Sequence, residues 1–236
     1  MKFLSSVILL WGFCFPAIAV DLPSRVEISY LIKTDIGHGE LNETLEIEQE
    51  SGTYNYRISS EARPSGILKL IKPGSIVRDS KGVITKMGLQ PHRFSDQRNE
   101  KLPSIAIFDW TNSLLTLQRK GKEDQAPLPS GTQDRLSLSY NFMFSPLTKN
   151  YIDTHETDGR SLTSARYTVD KEILKTPLGE LETIVLTKQL EKDNQLDRKI
   201  WLATDYHMLP VRIIATEKNG FEFEQIVTKI SYPCDY

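Results

Sequence analysis

The sequence predicts a mainly β protein: a single domain formed by a strongly curved antiparallel sheet or barrel of meander hairpins, with one short α-helix packed at its mouth. Three observations lead there. Apolar residues recur with a period of two over most of the chain. Short clusters of Gly, Pro, Asn and Asp punctuate the alternating runs. Only one stretch, 132–144, carries helical spacing.

The elements follow in chain order. Val26, Ile28, Tyr30 and Ile32 alternate with Arg25, Glu27, Ser29 and Lys33, which puts one face of a strand on a core and the other in water. Leu45 and Ile47 alternate with Glu46 and Glu48, and Tyr54, Tyr56 and Ile58 repeat the pattern. Ser80-Lys81-Gly82 reads as a turn between strands at 75–79 and 83–87. Asp109-Trp110-Thr111-Asn112 separates strands at 105–108 and 114–117. Leu136, Tyr140, Met143 and Phe144 fall at helical spacing, and Ser145-Pro146 stops the run. The polar stretch 147–160 reads as a loop. Thr163, Ala165, Tyr167 and Val169 return to period two, and Thr176-Pro177-Leu178-Gly179 fits a type I turn. Asn219-Gly220 suits a two-residue type I′ turn, which would pair Thr216 with Phe223 and Ile213 with Ile226.

Residues 1–19 read as a cleaved signal peptide. Lys2 is followed by the uncharged run 3–15, and Ala17-Ile18-Ala19 is a small-x-small cleavage site. The run is shorter than the ~20 residues that a membrane span needs. Phe13 before Cys14 is a poor fit to a lipoprotein cleavage box. Residues 20–236 then form one β-rich domain in the periplasm, with no integral span left after cleavage. That domain keeps one cysteine, Cys234, which cannot form an internal disulfide, so stability must come from packing.

The chain has 236 residues, 39% hydrophobic and 25% charged, with 29 Lys+Arg against 31 Asp+Glu. These values exclude a disordered, collagenous or multi-span membrane protein. The charge is uneven. Residues 20–62 carry a net −6 and residues 63–101 a net +6. Either the basic stretch forms a surface for an anionic envelope ligand, or neighbouring strands neutralise each other; pairing of sequence neighbours in a meander favours the second.

No G-x-S-x-G elbow, phosphate-cradling Gly-rich loop, H-E-x-x-H or C-x-x-C occurs. The four histidines have no metal-ligand spacing. No metal, cofactor or nucleic-acid partner is expected. Asp109, at the end of an apolar strand, and Asp134, at the start of the helical run, are the candidate acids for a paired-carboxylate site, which needs a separation of about 5–10 Å. Their plainer roles are turn formation and complementing a helix dipole. His92, within Gln90-Pro91-His92-Arg93-Phe94, is a candidate general base. Trp110, Trp201, Arg93 and Tyr140 are candidate binding residues, with Trp110 and Trp201 equally suited to anchoring a core.

Taken in order, Gln90-Pro91-His92-Arg93-Phe94, Phe108-Asp109-Trp110, Gln133-Asp134-Arg135-Leu136-Ser137-Leu138, Thr176 to Thr183, Ile200-Trp201-Leu202-Ala203-Thr204-Asp205 and Leu209-Pro210-Val211-Arg212-Ile213 resemble the bacterial exported proteins of domain of unknown function 3108. The resemblance spans nearly all of the chain after the leader. It implies a β-rich single domain and an envelope location. It implies no activity and brings no catalytic residues.

The function expected is therefore that of a non-enzymatic periplasmic binding or envelope-maintenance protein, with lipid or another apolar or anionic envelope molecule as ligand. It would place an apolar cavity beneath the helical run 132–144. One alternative is a hydrolase of cell-wall or glycan material using Asp109, Asp134 or His92. Another is an outer-membrane β-barrel, suggested by Ile230, Tyr232, Cys234 and Tyr236 alternating to a terminal aromatic residue.

Overall fold

The computed structural model describes residues 23–71, 73–189, 198–216, 220 and 222–233. The leader, Cys14, Cys234 and Tyr236 lie outside the described residues.

The strands are β1 (Arg25–Thr34), β2 (Gly37–Glu50), β3 (Thr53–Ser65), β4 (Ile76–Thr85), β5 (Gly88–Arg98), β6 (Ser104–Asp109), β7 (Leu114–Arg119), β8 (Lys122–Pro127), β9 (Gln133–Asp134), β10 (Tyr151–Thr157), β11 (Leu162–Thr176), β12 (Gly179–Lys188), β13 (Arg198–Ala203), β14 (Leu209–Thr216) and β15 (Glu222–Ser231). They form one strongly curved, open sheet in the order 8-7-6-5-4-3-2-1-15-14-13-12-11-10-9, antiparallel throughout except for the parallel β9–β10 pair. The short helices are α1 (Gly66–Ile71) and α2 (Ser137–Tyr140), the latter continued by a 3-10 turn at Asn141–Met143.

Alternation along each strand sorts residues between an inner and an outer face. One inner row runs Tyr30, Leu41, Ala62, Ile76 and Arg98 across β1 to β5. The next row runs Ile28, Glu43, Ser60, Arg78, Asp96 and Ser104. The main core holds Val26, Tyr56, Phe94, Leu115, Trp201 and Val211. A second cluster of Tyr167, Leu186, Ile200 and Leu202 packs on Leu138 and Phe142.

The chain from β9 to the 3-10 turn crosses the inside of the sheet as a plug. Asp134, Ser137 and Tyr140 are completely buried. Gln133 Nε2 donates to the Leu89 carbonyl (2.8 Å), Asn141 Oδ1 accepts from the Leu89 amide (2.8 Å), and Arg198 donates to the Arg135 carbonyl (3.1 Å). Polar side chains thus tie the plug to both halves of the sheet.

The outer face is charged and paired, with Arg57–Asp79 at 2.7 Å, Arg166–Asp153 at 2.6 Å and Arg212–Glu224 at 2.7 Å. An outer-membrane barrel turns an apolar band outward and closes its edges. Here the sheet ends at β9, two residues long, and at β8, whose Lys122, Glu123, Asp124 and Pro127 blunt an open edge. Among the described residues no helix is long and apolar enough to cross a membrane.

Several local expectations change. Ser80-Lys81-Gly82 is not a turn: β4 runs straight through it, and the facing strand β5 bulges at His92. Gly82 is needed because a Cβ there would lie 2.1 Å from the Gln90 carbonyl oxygen. The polar loop at 147–160 contains β10, whose hydrophilic residues are satisfied by ion pairs with β11 and β12. The helical run is confined to 137–143 because its first residues, Gln133 and Asp134, pair as β9. The last hairpin pairs Thr216 with Glu222 and Ile213 with Gln225, one residue away from the register of a two-residue turn. Asn219 lies outside the described residues, and Gly220 has φ +77°.

Candidate functional site

The helix that shapes the site is α1, which period-two reading overlooked. Gly66, at φ +53°, turns the chain out of β3 into one and a half helical turns. Leu68 alone of this helix is buried, 7% exposed. It seats on the β1–β2 turn, where a Cβ at Gly37 would come within 3.0 Å of the Leu68 Cβ. The facing wall is Gly74-Ser75. Asn99 holds it by donating its amide to the Ser75 carbonyl (2.8 Å) and filling the space above Gly74.

Between these walls is a pocket of about 280 Å³. Ile32, Leu41, Ala62, Ile76 and Phe223 give it an apolar interior. They come from five different strands and meet because the register puts them on the same face. Phe223 and Gln225 reach it through the β1–β15 register, which sets them beside Thr34 and Ile32. Ile67, Leu70 and Ile71 of α1 are 68%, 83% and 57% exposed and do not line the pocket.

The inner end of the pocket is cationic. Arg78 and Arg98 line it and both bind Asp96, at 3.1 and 3.4 Å. Burial would raise the Asp96 carboxyl, but Arg78, Arg98 and Arg160 together hold it below its ordinary range. Arg78, Phe223 and Gln225 also line an adjoining cleft of about 40 Å³, with Arg135, Arg198, Ser139, Tyr140 and Glu43. Glu43 accepts from the Ser60 hydroxyl (3.0 Å) and the Tyr140 hydroxyl (2.7 Å). Its burial outweighs these donors and the nearby Arg78 and Arg198, raising the carboxyl above its usual value.

The residues singled out by sequence do not assemble into one centre. Asp134 is sealed in the core; its Oδ2 accepts from Ser80 (2.6 Å) and its Oδ1 from the amides of Leu136 and Ser137 (both 2.9 Å). Burial pushes it up to about 6. Asp109 shapes a turn: Asn112 donates to it through both side chain and backbone (2.7 and 2.9 Å), which lowers its carboxyl. His92 is exposed at the β4–β5 bulge, on an outer depression of about 380 Å³ with Glu46, Arg57 and Lys81. Arg93 sits in the β4–β6 ladder between Lys81 and Ile107. Trp110 donates to the Pro91 carbonyl (2.7 Å) and stacks on Phe108, and Trp201 is buried between Lys199 and Arg212. Of the seven, only Tyr140 borders the site. Among the described residues no cluster of three or more His, Cys, Asp and Glu could hold a metal.

Leu68, Arg135 and Gln225 escaped sequence reading, whereas Arg78 belongs to the basic stretch 63–101 for which an anionic ligand was one of the two expectations. Arg135 did carry a signal, as a lone cation beside Asp134 at the head of an apolar run.

The profile of the family described as "Protein of unknown function (DUF3108)" matches residues 25–226. The chain belongs to the DUF3108 family. No functionally curated protein matches it. The DUF3108 chain is similar in fold to a crystal structure described as a beta-barrel-like protein of domain of unknown function DUF1849 from Brucella abortus. The TM-score is 0.52 and the identity 11%, over 90% of this chain and 99% of that one. A DUF1329 family protein from Desulfovibrio piger aligns over 92% of this chain and 88% of its own, with TM-score 0.28 and 10% identity.

Proposed function

We propose that this DUF3108 protein is a non-enzymatic binding protein that holds one apolar or amphiphilic envelope molecule in the pocket beneath α1. The observation that carries the reading is the pocket itself: mainly apolar, about 280 Å³, built from six strands and a helix, with a few polar side chains, Arg78, Arg98 and Gln225 among them. Its volume lies near the lower end of small-molecule sites, which are mostly apolar with a few placed polar groups. The run 132–144 borders the smaller cleft through Arg135, Leu136, Ser139 and Tyr140, and the apolar pocket lies beneath α1 instead. Cleavage of the leader after Ala19 would deliver the protein to the periplasm, where lipids and their precursors are the natural apolar ligands.

The test is titration of the mature protein with the neutral apolar dye N-phenyl-1-naphthylamine. Saturable one-to-one binding is expected. Leu68→Asp, which charges the wall, and Ala62→Trp, which fills the floor, should each weaken it by about tenfold or more. A folded wild-type protein that takes up no dye would overturn the reading.

A further inference from the structure

We infer that the cleft formed by Arg78, Arg135 and Arg198 receives the phosphate or carboxylate headgroup of an amphiphile whose tail occupies the α1 pocket. This rests on the binding role proposed above and specifies the class of ligand.

The argument starts from donors that the protein leaves unused. Arg78 is engaged by Asp96, and Arg198 donates to the Arg135 carbonyl (3.1 Å) and to Ser139 Oγ (3.0 Å). No hydrogen bond or ion pair engages the Arg135 guanidinium among the described residues; its electrostatic neighbours are Arg78, Arg198, Asp158 and Asp96. Gln225 lies beside the Tyr30 hydroxyl, yet its buried Nε2 has no acceptor. A buried donor without an acceptor costs about 1–3 kcal/mol, and more when charged. Folding alone does not explain leaving the Gln225 donor unsatisfied beside a half-buried Arg135 guanidinium that has no ion pair among the described residues.

Charge and space agree. Arg78 is paired with Asp96 and Arg198 lies 3.8 Å from Glu156, which leaves Arg135 as the cation without an ion pair among the described residues. The one carboxylate lining the cleft, Glu43, already accepts from Ser60 and Tyr140. Burial and the like charges of Arg78 and Arg198 push the Arg135 guanidinium down to about 10. An anion beside it would reverse that penalty. A volume of about 40 Å³ admits a group of a few heavy atoms, such as phosphate. Arg78, Phe223 and Gln225 line both cleft and pocket, so a headgroup there stands at the inner end of the apolar space. Planar guanidiniums suit phosphate and carboxylate oxygens in particular.

The experiment is displacement of N-phenyl-1-naphthylamine by dodecyl phosphate, by neutral 1-dodecanol and by inorganic phosphate, all below micelle formation and at low salt. Dodecyl phosphate should displace the dye at roughly tenfold lower concentration than dodecanol. Arg135→Met should remove that preference while dodecanol displaces as before. Gln225→Met should weaken dodecyl phosphate several-fold and gives the same comparison if R135M does not fold. Equal displacement by the two alkyl ligands overturns the inference and leaves the pocket reading standing. An undiminished preference in both variants also overturns it, by placing the anion elsewhere. Inorganic phosphate binding as tightly as dodecyl phosphate overturns it in favour of a free-anion site. Absence of dye binding removes the pocket reading itself.

Discussion

Asp134 illustrates how a residue that looks catalytic acts structurally. A carboxylate at the head of an apolar run suggests chemistry, but here Ser80, Leu136 and Ser137 all donate to it inside the core. Burial raises it to about 6. The sign follows from linkage. The folded state holds its proton more tightly than the unfolded chain, so stability from this group is full below about pH 4, declines as pH rises to about 6, and stays reduced above. The span corresponds to about 3 kcal/mol. Asp134→Asn can keep all three contacts, its amide donating to Ser80, and lacks the charge. Urea unfolding should show D134N gaining stability relative to the native protein, by about 2–3 kcal/mol, between pH 4 and pH 7. A constant difference across that range would refute the assignment.

Among the elements, β4 departs furthest from its sequence. Gly82 reads as a turn, yet it serves close approach within a continuous strand, its Cα facing the Gln90 carbonyl. Gly82→Ala puts a methyl group where backbone atoms stand, so strands β4 and β5 must part. A loss of about 2–4 kcal/mol is expected, seen as a fall of several degrees in Tm. An unchanged melting curve would mean that the bulge relaxes freely. β10 teaches a related lesson. Its Glu156 is bound by Lys188 and Tyr167 and faced by Arg198 at 3.8 Å. Burial opposes ionisation there, but Arg198 and Lys188 keep the carboxyl low. A strand whose inward groups are ionic looks like a loop when hydrophobicity is the only guide. The basic stretch 63–101 divides in the same way: Lys81 lies on the outer face beside Arg57, while Arg78 turns inward to the candidate site.

At the scale of the molecule, an open sheet can be held curved by what it wraps, and here that is the plug. Tyr140, from the plug, and Glu43, from β2, meet at 2.7 Å across 97 positions of sequence. Removing the hydroxyl leaves a buried carboxylate with one donor fewer, which costs about 1–3 kcal/mol. Tyr140→Phe should therefore destabilise the whole domain, and Glu43→Gln should absorb much of that loss. A double-mutant cycle should give a coupling of at least about 1 kcal/mol. Strict additivity would show that the plug is held by packing alone. Because the same Glu43 lines the cleft, stability and ligand selectivity share residues in this fold.

What the sequence determined by itself was the class of the fold: period-two alternation requires strands, the punctuation at 109–112 and 176–179 requires hairpins, and both appear where expected. Alternation says that neighbours face opposite ways, but not which way is inward when the inward residue is Glu43, Arg78 or Gln225. Only tertiary structure decided that, since register is fixed by partners far away in the chain and a shift of one residue exchanges the faces. The site emerged at that level, from side chains of β1 to β5, β13 to β15 and the plug that no local pattern connects.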